Sequence, residues 1–416
     1  MMTISHDFLL ILAQTLHFEA ESLPAIPAPF WFTQFFKVLG FVLHMLAMNI
    51  WFAGIPIFLL MLIFGRKNGK RFACRMFSQL PIIMAFGINF GIVPLLFLQT
   101  VYYKPFYTAT ILMAWHWIMI IPLVMIAYYA IYIAAFSVKQ EQKSGQTFFA
   151  GLIASCCLFL VAYIIVSAMS LMGRPETMTN IWQQGQTFAG TDAAAATYGM
   201  GSNASEPTLW LRYGAMFGLA MTTVAFWTVF DAMVLIPKRK EDMLEESQAN
   251  DNYRHWAGTF AMIIAWLGGA IATISFYQYV DFVKTNPATA AIFAEDAAPL
   301  FRQLLGMAMV TPFLAAVVLT IAKLLRFGRY VTVITVALVQ MLALATFAIV
   351  RQWVQNVETS QIVPIAKLSE NTQLTPIYTS PLVVFLVLFV VGAIVIGWMI
   401  RQMVIASKLA QKPNVR

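Results

Sequence analysis

Long runs of apolar residues, separated by short polar clusters, recur from end to end of the chain. Each is 20 residues or longer, enough to cross a hydrocarbon layer as a helix. The runs are apolar on every face rather than along one stripe, which suits lipid and helical neighbours, not water. Nine are read, at 31–64, 80–101, 107–137, 148–172, 208–236, 256–280, 300–325, 331–352 and 379–403. A shorter apolar segment, 7–18, precedes them and stops at Glu19 and Glu21, with Pro24, Pro27 and Pro29 following. It reads as an interfacial helix with a rigid lead-in. The expected fold is all-α, a polytopic integral membrane bundle of about nine transmembrane helices. Its parts are an N-terminal interfacial segment 1–30, a transmembrane domain 31–405 and a tail 406–416.

Charge placement orients this bundle. Eighteen of the 26 lysines and arginines fall on one side, in Arg66–Arg75, Lys139–Lys143, Lys238–Arg254, Lys323–Arg329 and Arg401–Arg416. Connections on the other side hold only Lys104, Arg174, Lys284 and Lys367. By the positive-inside rule the N-terminus is outside and the C-terminus cytoplasmic. Composition agrees: 60% of residues are hydrophobic and 11% charged, against about 25% charged in soluble domains. A soluble enzyme, a disordered chain and a disulfide scaffold are excluded. The net charge of +8 sits in loops between spans, so it marks topology and not a nucleic-acid surface. The first basic residue is Lys37, so no basic n-region of a signal peptide is present. Cys74, Cys156 and Cys157 lack metal-ligand spacing and read as small hydrophobes. The connections 173–207 and 353–378 are the longest on the outer side. The small-residue run Gly190–Ser205 reads as mobile, and the polar run Glu241–Asn252 as a solvated inner loop.

Few residues in the spans carry chemistry. Asp231 is the only clear carboxylate, which argues against a proton relay of several carboxylates in series. His44 and His116 lie at similar expected depth in the first and third spans. Together they would clamp one b-type haem through both axial positions; His44 alone, or with another ligand, would hold it from one side; or neither binds haem. His6, His17 and His255 lie at interfaces. Lys37, Arg174, Arg212, Arg302 and Arg351 stand at outer helix ends, against the positive-inside trend. They suit haem propionates, a lipid phosphate or an acidic partner, or else snorkel to headgroups. Gln99, Gln352, Gln355 and Asn356 fall at the same level. Met45, Met48 and Met113 lie near the histidines, and Trp115 and Trp117 flank His116.

The order of local motifs resembles subunit I of the cytochrome bd quinol oxidases. Phe36-Lys37-Val38-Leu39-Gly40-Phe41-Val42-Leu43-His44 is similar to the family's first-helix stretch leading to a haem histidine. Gly65-Arg66-Lys67, Phe86-Gly87-Ile88-Asn89-Phe90-Gly91-Ile92, Phe97-Leu98-Gln99, Gly173-Arg174-Pro175, Phe301-Arg302 and Arg351-Gln352-Trp353 follow in the family's order. The resemblance covers most of 31–405 and implies nine spans with the N-terminus outside. It implies haem b and quinone as cofactor and substrate, and a second membrane subunit as partner.

Departures narrow that implication. The family's fifth-helix histidine falls at or near Arg212 and Tyr213, its seventh-helix methionine at Leu304 and its eighth-helix glutamate at Ala348. The third-helix glutamates have no counterpart, and the quinol-binding loop between helices six and seven shrinks to about 281–299. The expected function is therefore a membrane subunit of a respiratory electron-transfer complex with at most one haem b. It would link the quinone pool to an outer-side c-type cytochrome, as part of a quinol:cytochrome c oxidoreductase. The chain has no Cys-x-x-Cys-His motif, so covalent haem must come from a partner. The expected site residues are His44 and His116 on the metal, with Arg212, Arg302, Arg351 and Gln352 around the cofactor. The alternatives are a cofactor-free scaffold or assembly subunit, a solute transporter and an oxygen-reducing bd oxidase.

Overall fold

A helix that is apolar all round satisfies its own backbone and can stand in hydrocarbon or against a similar helix. The computed structural model is built from such helices. It describes residues 28–139, 144–188, 199–236, 244–290, 299–363 and most of 382–402, among which no strand occurs. In chain order the helices are α1 (Phe30–Phe52), α2 (Gly54–Phe64), α3 (Lys67–Val101), α4 (Tyr103–Leu112), α5 (Ala114–Lys139) and α6 (Ser144–Leu171). Then come α7 (Pro175–Phe188), α8 (Leu209–Phe230), α9 (Leu244–Thr285), α10 (Pro299–Leu324) and α11 (Arg329–Thr359). A π-helical turn, Asp231–Leu235, extends α8. A shorter apolar helix, α12, covers Leu382–Gly392.

Among the described residues, eight segments are long and apolar enough to cross a membrane, α1 and α2 together making the first. They match the first eight runs read from the sequence. The ninth run is represented by α12, and the rest of 379–403 lies partly outside the described residues. The 7–18 segment and the 406–416 tail lie outside them altogether. The first span breaks at Ala53 because Pro56, three residues on, has no N–H to return to the Phe52 carbonyl.

Residues 35–364 form one compact unit, and residues 1–34 with 365–416 a second. In the second, the rings of Phe32 and Phe385 meet edge-on at 6.2 Å. In the first, α5 packs on α6, α8 on α9, and α10 on α9 and α11. The α8–α9 contact is the closest kind of crossing. A Cβ added at Gly268 would sit 2.6 Å from the Gly218 carbonyl oxygen, so only glycine lets the backbones meet. One apolar core gathers around Phe58, Phe72 and Phe77, another around Met45, Phe276 and Phe347.

Three elements differ from the sequence reading. The 173–207 connection contains α7, whose buried Met178 and Ile181 give it an apolar side; the run Gly190–Ser205 is described only from 199 onward. The run expected as an inner loop over Glu241–Asn252 is helical from Leu244. Arg71 Nη2 holds it by donating to Asn250 Oδ1 at 2.6 Å. Finally, α11 continues seven residues beyond the expected end at 352, to Thr359, and this extension positions the site.

Candidate functional site

The bundle has two polar ends. At the one where α3 begins, Asp231 is fully buried and saturated. Arg75 Nε and Nη2 donate to its two oxygens at 2.8 Å each, Gln79 Nε2 donates at 2.7 Å and the Tyr253 hydroxyl at 3.2 Å. Arg75 lies inside α3, so it is half of a buried ion pair as well as a topology charge. With every acceptor position taken, Asp231 has nothing left to offer a ligand.

The other end, where α1 begins, is assembled by the last two turns of α11. Positions 351–352, 355 and 358–359 recur at helical spacing, so Arg351, Gln352, Gln355 and Glu358 come to adjoining faces. Glu358 is the hub. Its Oε1 accepts from Arg212 Nη2 at 2.6 Å and from Arg174 Nη2 at 3.1 Å, and its Oε2 accepts from the Tyr279 hydroxyl at 2.7 Å. Arg174 also reaches both oxygens of Glu206, at 3.2–3.3 Å. Both carboxylates have side chains under 5% exposed. Beside this network, Lys37 Nζ donates to Gln355 Oε1 at 3.1 Å and stands 4.1 Å over the Tyr102 ring. Gln352 Nε2 donates to the Tyr102 hydroxyl and to Asn356 Oδ1, and the Tyr102 hydroxyl itself donates to Asn356 Oδ1.

Four cations and two carboxylates thus meet within the protein at this end. Arg174 and Arg212 are paired. Lys37 has only a neutral partner, and Arg351 lies 4.6 Å over the Phe41 ring with no carboxylate within ion-pair distance among the described residues. Both unmatched cations line a cavity of about 360 Å³.

His44 lies seven residues below Lys37 on α1, about 10 Å along the axis, and lines the same cavity. Its Nδ1 is 2.7 Å from the Gly87 carbonyl oxygen on α3. A carbonyl only accepts, so the proton is on Nδ1 and the Nε2 lone pair is free. Histidines that ligate metals are held in this way. Gly91, one turn further along α3, allows the approach: a Cβ there would sit 2.8 Å from His44 Nδ1. Phe41, Trp51, Phe52 and Trp117 wall the cavity, and Met48 also faces it. A second chamber of about 130 Å³ adjoins along Phe41, His44, Met48 and Phe52, and reaches Arg212, Tyr279 and Arg351.

The structure therefore brings together His44, Arg351, Gln352 and, in the second chamber, Arg212. His116 lines neither chamber. Its neighbour Trp117 does, while His116 Nδ1 is buried with no hydrogen-bond partner. Arg302 is exposed and lines neither chamber. Met45 and Met113 are core residues. Among the described residues no three His, Cys, Asp or Glu side chains gather as a metal cluster. Sequence reading missed Glu358, Glu206 and Tyr279.

The fold has a counterpart among solved structures. The bd oxidase from Geobacillus thermodenitrificans superposes with a TM-score of 0.54, covering 89% of this chain and 98% of that one, at 14% sequence identity. This chain has the bd-oxidase fold. The likeness at that identity is one of fold alone. No family model and no curated protein matches the chain.

Proposed function

We propose that this bd-fold chain is a membrane subunit of a respiratory electron-transfer complex. In this reading it sits in the bacterial cytoplasmic membrane with its N-terminus outside and holds one haem b through His44. It links the quinone pool to an outer-side c-type cytochrome and is paired with a second membrane subunit. One observation carries the haem assignment: a histidine locked with Nε2 free faces a mainly apolar cavity whose rim holds two cations without counter-ions. Haem b has an iron that takes an imidazole, a flat apolar body and two anionic propionates, so the donor set fits it. The cavity volume lies within the usual range for buried ligands, about 300–1,000 Å³.

The haem, when bound, supplies one-electron chemistry. The chain's own residues do the rest. Gly87 fixes the His44 tautomer; Lys37 and Arg351 would neutralise the propionates, and Phe41, Trp51, Phe52 and Trp117 would keep water from the ring. The Arg212–Glu358 pair stands where the resemblance places another haem histidine, which supports one haem in this chain rather than several.

A reduced-minus-oxidised spectrum of protein purified from its native membrane tests this. The expected result is a single b-type signal, lost in His44→Ala and retained in His116→Ala. Native protein without haem, or haem unchanged in His44→Ala, would overturn the assignment and leave the cofactor-free scaffold.

A further inference from the structure

We propose that the outward side of α3 is where two copies of this chain meet, with Asn89 of each copy hydrogen-bonded to Asn89 of the other; this does not depend on haem. Position comes first. Asn89 lies near the middle of the 80–101 run, at the depth of the hydrocarbon, and it is exposed. Ile82, Phe86, Ile92 and Leu96 recur around it at helical spacing and are exposed too. They form one apolar stripe along α3, with a carboxamide at its centre and two turns of helix on either side.

Lipid gives that carboxamide nothing to bond. Asn89 Nδ2 donates to the Ala85 carbonyl of its own helix at 2.8 Å, which uses one N–H. The second N–H and the carbonyl oxygen have no partner among the described residues. A bare polar group in hydrocarbon is costly, because no water is there to satisfy it. Asn49 and Gln340, also within spans, face inward instead and bond to threonines of α8. An outward amide at mid-span is explained by a second helix lying against it.

Chemistry selects which helix. A carboxamide both donates and accepts, so it is complementary to itself. Two copies related by a two-fold axis at Asn89 each give one N–H and take one, while the stripe packs on its own image. Ala85, one turn away, is small enough to let the two helices approach. The ninth run of the same chain has no matching group. From Pro381 to Ile400 its one side-chain N–H or O–H is on Trp398, at the end of the run and not at mid-span.

The test counts subunits of the full-length, fluorescently labelled protein in lipid vesicles by single-molecule photobleaching, at decreasing protein-to-lipid ratio. The expected result is a dimer. Its dissociation constant should rise about tenfold in Asn89→Leu and change little in Asn89→Gln, which keeps the carboxamide. Asn89 faces outward, so the leucine variant removes no contact inside the fold. A second measurement fixes the face. With Cys74, Cys156 and Cys157 replaced by alanine, Phe86→Cys should cross-link to itself under mild oxidation. Val310→Cys, equally outward but on α10, should not. Wild-type protein that stays monomeric, a dimer as tight in Asn89→Leu, or cross-linking at Val310 and not at Phe86 would each overturn the proposal. So would a Phe86→Cys cross-link in native membranes to a different polypeptide alone, which would give this face to another kind of subunit.

Discussion

Arg212 and Arg351 border the same small chamber, yet they are in opposite states. Arg212 is held by Glu358 at 2.6 Å and by Thr208, in a network that also satisfies Arg174, Glu206 and Tyr279. Arg351 has an aromatic face and open space. In the sequence the two look alike, as lone arginines at helix ends. What separates them is whether a carboxylate from another helix arrives. One region is closed and holds helices together; the other leaves a guanidinium without a carboxylate among the described residues, facing a cavity.

The largest expected effect comes from breaking the closed region. Glu358→Gln keeps the shape of the side chain but leaves Arg212 without an ion-pair carboxylate and Arg174 with Glu206 alone. Removing one partner of a buried pair costs about 3–5 kcal/mol, because the remaining charge stays desolvated. Thermal unfolding in detergent should show a large fall in the midpoint. A midpoint equal to wild type would mean that water or lipid already screens Arg174 and Arg212, and the contrast with Arg351 would vanish.

The open region should respond in the opposite sense. Lys37→Leu and Arg351→Leu each remove a cation that no carboxylate pairs. In haem-free protein their stability should equal or exceed wild type. In haem-loaded protein the sign differs. Reduction adds negative charge to the site, nearby cations favour it, and losing one lowers the midpoint potential by tens of millivolts. Redox titration of the two variants checks this; a potential that does not move would place both cations away from the ligand.

How much of this was written in the sequence depends on whether a residue acts alone or in company. The helices were legible because lipid demands one thing of every residue in a span, and about 20 residues repeat the demand. His44 was legible as an imidazole in an apolar run. Its tautomer was not, since that depends on the Gly87 carbonyl 43 residues away. Glu358 was passed over because apolarity ends near 352 while helical hydrogen bonding continues to Thr359. A span end read from hydropathy marks where lipid stops, not where the helix stops. The buried group of Asn49, Thr222, Thr223 and Gln340 was equally silent. Asn49 Nδ2 donates to Thr223 Oγ1 at 2.9 Å, and Gln340 Nε2 to the two threonine hydroxyls at 3.2 and 3.0 Å. Each is one polar letter in an apolar run, and only the meeting of α1, α8 and α11 makes them a cluster. Arg75 was read for its charge, and its partner Asp231 lies 156 residues on.

The smallest effect expected falls between the two regions and separates them most cleanly. Gly91→Ala places a methyl 2.8 Å from His44 Nδ1, so either the imidazole tilts or α1 and α3 move apart by a few tenths of an ångström. Overpacking of this size costs about 1 kcal/mol, well under the loss of Glu358. None of the hydrogen bonds around Glu358 involves α3, so the closed network should be untouched. The Nδ1–H to Gly87 bond should lengthen, which loosens the orientation of Nε2. The haem-to-protein ratio should therefore fall several-fold while the unfolding midpoint hardly moves. If the midpoint instead drops as far as in Glu358→Gln, the α1–α3 contact is a structural joint in its own right, and His44 is oriented by packing rather than by one carbonyl.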